Sequence, residues 1–170
     1  MTPIWILLLC EISVIACALV SGVFLTFSDF VMRSLDGAKT AAGVEVMQVV
    51  NREVYRSLFM LLLLGMAALS PFLIGAAYLR VAGSPSAWIT AGGALYLAGV
   101  FAVTLVFNVP MNRRLDAMDY AGPEAAAYWK TTYLPRWSFW NHLRAIAAAG
   151  SAVCFLVACV SLAQETAAAG

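Results

Sequence analysis

Four apolar runs, at about 4–27, 57–79, 88–107 and 139–163, constrain this chain more than any other feature. Each is long enough to cross about 30 Å of hydrocarbon as a helix, which takes about 20 residues. Helix is also the required form, because an open backbone in hydrocarbon leaves N–H and C=O groups unpaired. The expected fold is therefore all-α: an integral membrane bundle of four helices, forming one domain over residues 1–170. Composition agrees, since 63% of the residues are apolar and 11% charged, against about 25% charged in soluble domains. Residues 1–22 resemble a secretory signal ending at Ala16-Cys17-Ala18. They lack a basic start, however, and the run continues to Phe27, so a retained first span is expected.

The connecting segments are unequal. Residues 28–56 and 108–138 are long and polar, whereas 80–87, with Arg80, Gly83, Ser84, Pro85 and Ser86, reads as a short turn. In a four-span chain both long segments emerge on one side and the termini on the other. The long segments hold Arg33, Lys39, Arg52, Arg56, Arg113, Arg114, Lys130 and Arg136, eight of the ten basic residues. The positive-inside rule then places them in the cytoplasm of a bacterial inner membrane, with both termini outside. Trp5 and Trp88 are expected to mark one interface, and Trp129, Trp137 and Trp140 the other.

Residues 41–56 space Met47, Asn51 and Tyr55 as one helical stripe, with Gln48 and Arg52 beside it. Short amphipathic helices lying at the interface are therefore expected in both long segments, over 41–56 and 110–134. Pro110 disfavours helix at Val109, so the third span is expected to end or kink at Asn108-Val109-Pro110. Gly92, Gly93 and Gly99 on the third span, and Ala145, Ala148, Ala149, Gly150 and Ala152 on the fourth, suit close packing in lipid.

The same topology brings polar residues from several spans to one membrane face. Asp29 ends the first span, and Asn51 and Arg52 precede the second. Asn108, Asn112 and Arg113 end the third, and Asn141, His142 and Arg144 open the fourth. Singly they read as interfacial groups that cap helices. As a group they are costly inside a span unless they meet partners, which argues for a shared polar pocket. Trp137, Asn141 and Arg144 share one stripe, and His142 sits about 100° from it. Glu11, two turns inside the first span, is either functional or hydrogen-bonded to a neighbour, and Arg80 is placed to reach toward it.

Several chemistries are excluded. A net charge of +1 offers no basic face for nucleic acid, and no phosphate loop or nucleophile elbow occurs. Cys10, Cys17, Cys154 and Cys159 lie in apolar stretches and read as small hydrophobes. With a single histidine, a multi-histidine metal site or a bis-histidine haem cannot form in one chain. His142 is left as a general base, a single axial haem ligand or a structural residue. No cofactor is expected, apart from that possible haem.

The stretches Phe27-Ser28-Asp29-Phe30-Val31-Met32, Met47-Gln48-Val49-Val50-Asn51-Arg52, Asn108-Val109-Pro110-Met111-Asn112 and Trp137-Ser138-Phe139-Trp140-Asn141-His142-Leu143-Arg144 resemble the anthrone oxygenase-like family of small membrane proteins. The resemblance implies a four-span protein, some of whose relatives oxidise an anthrone to an anthraquinone with dioxygen. It directs attention to Asn51, Asn108, Asn112, Asn141, His142 and Arg144. Removing the acidic methylene proton of an anthrone gives an anion that dioxygen oxidises without metal or flavin. On this reading His142 is the base, Arg144 and Asn141 stabilise the oxyanion, and Trp137 and Trp140 stack on the rings. The competing readings are a non-catalytic subunit of a larger membrane complex or homo-oligomer, a b-type haem protein, and a binder of lipid or of a quinone-like molecule.

Overall fold

The computed structural model describes residues 3–79 and 85–168, and every regular element among them is helical. Five helices carry the fold: α1 (Ile4–Gly37), α2 (Thr40–Glu53), α3 (Leu58–Tyr78), α4 (Ser86–Asp116) and α5 (Pro123–Glu165). Helices α1, α3, α4 and α5 are each long and apolar enough to span a bilayer. The chain is thus an all-helical membrane bundle, with α2 as its one shorter, non-spanning helix. Arg80, Gly83 and Ser84 of the expected turn lie outside the described residues.

Hydrophobicity alone does not decide which face of a span turns inward, because lipid is as apolar as the core. Helix α1 buries Ile6, Cys10, Cys17, Val20 and Phe24 but exposes Leu8, Ile12, Ile15 and Leu19, which are just as apolar. The fit between neighbouring helices decides instead. Helix α1 packs along most of α5, and α4 packs on both α3 and α5. At Gly99 an added Cβ would lie 2.5 Å from the Cβ of Ala147, so α4 and α5 approach through backbone and methyl groups. Cys10, Cys17 and Cys159 are buried and Cys154 partly so; all four are free thiols.

Three spans run on beyond the hydrocarbon length, and this changes the expected picture of the long segments. Helix α4 passes through Asn108 and Val109, both right-handed helical, and continues to Asp116, so it does not end at Pro110. The turn just before it, Thr104–Asn108, is π-helical. Hydrogen bonds there run five residues back rather than four, the kind of adjustment by which a spanning helix tolerates proline. Helix α5 likewise begins at Pro123, ahead of the expected start at 139, and accommodates Pro135 in a π-helical stretch, Trp129–Trp137. Two further π-helical stretches are Phe27–Val31 in α1 and Tyr96–Ala102 in α4.

The extensions and α2 close one end of the bundle with a core of their own, built from Met32, Val44, Met47, Leu115, Ala125, Tyr128, Trp129, Tyr133 and Trp137. Gln48 ties α2 to the end of α4, its Nε2 donating to the carbonyls of Leu115 at 2.8 Å and Met118 at 2.9 Å. Trp129, Tyr133 and Trp137 recur every four residues and stack, with ring centroids 5.4 and 6.0 Å apart. Trp129 and Trp137 are therefore buried rather than set in the interface as expected, while Trp5 and Trp88 are partly exposed. The tryptophans lie on the inner stripe of a helix that has a cap to pack against.

Candidate functional site

Just beneath this cap lies a cavity of about 330 Å³, within the roughly 300–1,000 Å³ of small-molecule sites. Its walls are mainly apolar: Phe24 and Phe27 of α1, Met47 of α2, Phe59 and Leu63 of α3, and Phe101 of α4. Its polar lining is Asn51, Asn108, Asn112, Asn141, Thr104 and Arg144. Trp137 completes it, and residues of all four π-helical stretches take part. A π turn displaces the side chains that follow it, and such turns gather at functional sites.

Arg144 is the centre of the polar end. Its side chain is buried, with 5% exposure, and its guanidinium carbon lies 4.2 Å from the Phe24 ring centroid and 5.5 Å from that of Trp137. Nη2 donates to Asn141 Oδ1 at 2.8 Å and Nη1 to Thr104 Oγ1 at 3.3 Å. Nε has no acceptor, and among the described residues lining the cavity there is no Asp or Glu to balance the charge. A buried cation of this kind is expensive unless something pairs with it.

Asn141 is completely buried, and both its N–H groups are in use, donating to the Phe24 carbonyl at 2.7 Å and to Ser28 Oγ at 2.8 Å. Its oxygen holds Arg144, so it positions the guanidinium against α1. Asn112 Oδ1 accepts from Tyr133 Oη and Trp137 Nε1, each at 2.8 Å, fixing the tryptophan ring that forms one wall. Asn51 Nδ2 donates to Tyr133 Oη at 3.4 Å. Asn108 donates to the Trp137 carbonyl at 3.4 Å, while its buried Oδ1 has no donor. Two fully buried polar atoms of the lining residues thus lack a partner, Arg144 Nε and Asn108 Oδ1.

His142, expected at the centre of the pocket, is not among the residues lining it. The 100° step from Asn141 carries it to the exposed side of α5, where Nδ1 donates to the Ser138 carbonyl one turn back at 2.6 Å. A haem held by His142 would sit on the outside of the bundle. Trp140 also lies outside the cavity, stacked on Phe107 with centroids 3.6 Å apart. Asp29 is exposed and pairs with Arg33 at 3.4 Å. Arg52 pairs with Asp116 across the outside of the cap, Arg113 is exposed, and Glu11 is exposed on α1. Among the described residues no group of His, Cys, Asp and Glu is placed to hold a metal.

Sequence reasoning missed Thr104, Phe24 and Tyr133. Thr104 and Phe24 look like ordinary span residues, and Tyr133 lies in a segment read as interfacial; only the packing of α1, α4 and α5 gives them roles.

No curated protein and no solved structure matches the chain. The family model described as anthrone oxygenase matches residues 52–154, well over half of the chain, spanning α3, α4 and the part of α5 that carries Trp137, Asn141 and Arg144. With a four-span bundle folded around those residues, the chain belongs to the anthrone oxygenase family.

Proposed function

We propose that this protein is a membrane-embedded oxidoreductase that converts an anthrone-like aromatic ketone to the corresponding quinone with dioxygen, in the cavity beneath the cap. One observation carries the reading: a buried, uncompensated arginine stands at the polar end of a cavity walled by aromatic and aliphatic side chains. A flat polycyclic ketone matches it, with its rings against Phe24, Phe59, Phe101 and Trp137 and its oxygen on Arg144. Family membership supports the reaction class.

The chemistry balances as anthrone plus dioxygen giving anthraquinone plus water. Loss of a methylene proton leaves an electron pair delocalised onto the carbonyl oxygen across the central ring, and the Arg144 guanidinium pairs with that oxygen. Dioxygen accepts the pair at the former methylene carbon and forms a C–O bond. After protonation the O–O bond breaks, the remaining C–H proton departs, and water leaves behind the second carbonyl. Arg144 stabilises the anion, Asn141 holds Arg144 in place, and Asn108 Oδ1 accepts from a ring hydroxyl where the substrate has one. His142 takes no part, since it faces away from the cavity.

The test is product formation by the purified protein in lipid nanodiscs, followed through quinone absorbance and oxygen uptake. Wild type should consume one dioxygen per anthrone, well above the rate in empty discs. Arg144→Gln should lose about 10²–10³-fold, the usual effect of removing an oxyanion donor. A wild-type rate equal to that of empty discs would reject the proposal.

A further inference from the structure

The lining of the cavity bears on how its ligand ionises. Among the described residues that line it, Arg144 alone is charged, and none is Asp, Glu or His. Helices α1, α3 and α4 bring only apolar side chains, amides and Thr104 to the wall, and α2 brings Met47, Val50 and Asn51. Two other titratable groups at this end of the bundle core are tyrosines. Tyr133, on α5, has its hydroxyl already engaged, donating to Asn112 and accepting from Asn51. Tyr55, in the turn after α2, stands at the mouth, largely exposed. A cation with a free donor and no carboxylate beside it fits a ligand that brings its own negative charge.

We infer that the cavity takes its ligand as the oxyanion, with Arg144 supplying the counter-charge and the released proton passing to water rather than to a side chain. The inference rests on the reading of the cavity as a substrate site, and adds that the site holds no general base. The step is a heterolysis: the acidic C–H bond breaks, its electron pair remains on the ligand and spreads to the carbonyl oxygen, and the proton leaves on water at the mouth. Arg144 drives it by favouring the anion, since an opposite charge within about 4–6 Å lowers a pKa by about 1–3 units. The anion is correspondingly enriched about ten- to a thousand-fold.

Anthrone under nitrogen provides the probe, because it ionises but cannot react and its anion absorbs at longer wavelength than the ketone. Protein in nanodiscs is titrated with pH beside empty discs of the same lipid, and occupancy is followed separately by energy transfer from tryptophan. The midpoint for bound anthrone should fall about 1–3 units below that in empty discs. Arg144→Gln should abolish the shift and His142→Ala should preserve it. Anthrone that binds with an unshifted or raised midpoint overturns this inference and leaves the substrate site standing; anthrone that does not bind overturns both. The wild-type comparison decides the matter even if Arg144→Gln does not fold.

Discussion

Replacing Asn141 with leucine tests whether this residue joins the guanidinium to the bundle. Leucine keeps the branched shape and the number of side-chain heavy atoms, so the main loss is in hydrogen bonds. Two neutral bonds disappear, to the Phe24 carbonyl at 2.7 Å and to Ser28 Oγ at 2.8 Å, together with the bond from Arg144 Nη2 at 2.8 Å. Neutral bonds are worth about 1 kcal/mol each, and a bond to a charged group about 1.5–3 kcal/mol. The expected loss is therefore about 3.5–5 kcal/mol, measured by reversible SDS unfolding in mixed micelles. Asn141→Asp gives the complementary measurement. It keeps an acceptor for Arg144 and lets Ser28 donate, and it loses only the bond to the Phe24 carbonyl. That variant should be more stable than Asn141→Leu yet inactive, because its carboxylate supplies the negative charge that the ligand otherwise brings. A loss below about 1 kcal/mol for Asn141→Leu, or full activity for Asn141→Asp, would refute this reasoning.

Three further outcomes are expected. His142→Ala should keep activity within about twofold and stability within about 0.5 kcal/mol, as for exposed sites, because its ring bonds only to its own helix; oxygen uptake and SDS unfolding check this. Gly99→Ala should destabilise by about 1–3 kcal/mol in the same unfolding assay, since the new methyl would lie 2.5 Å from Ala147 Cβ and both belong to rigid helices. With the cap in the cytoplasm, as the distribution of basic residues argues, Ser34→Cys in a background without native cysteines should resist impermeant thiol reagents in intact cells and Ser86→Cys should react.

Much of the bundle was legible because it follows from length: four apolar runs of about 20 residues leave few alternatives. The meeting of Asn108 and Asn112 with Asn141 and Arg144 was legible as well, since antiparallel spans adjacent in sequence place the end of one at the depth of the start of the next. The place of His142, on the exposed side of α5, differs from the expected one although its offset from Asn141 was visible in the sequence. Its chemistry and the family resemblance drew attention away from a helical angle that places it outside. The burial of Trp129 and Trp137 could not be read, because an interfacial helix and one buried under a cap carry the same tryptophan pattern. That cap depends on Gln48 reaching the carbonyls of Leu115 and Met118, a contact across 67 and 70 residues that no local pattern encodes. The π turns that let α4 and α5 run through Pro110 and Pro135 were likewise hidden, since proline more often marks a helix end.

The central claim, that a dioxygen-dependent oxidation occurs at Arg144, is tested most directly with isotopically labelled oxygen. Wild-type protein in nanodiscs, given an anthrone under ¹⁸O₂, should yield quinone with one labelled atom, at the new carbonyl, while Arg144→Gln yields it only at the rate of empty discs. Label drawn from water, or equal rates from wild type and Arg144→Gln, would contradict the account.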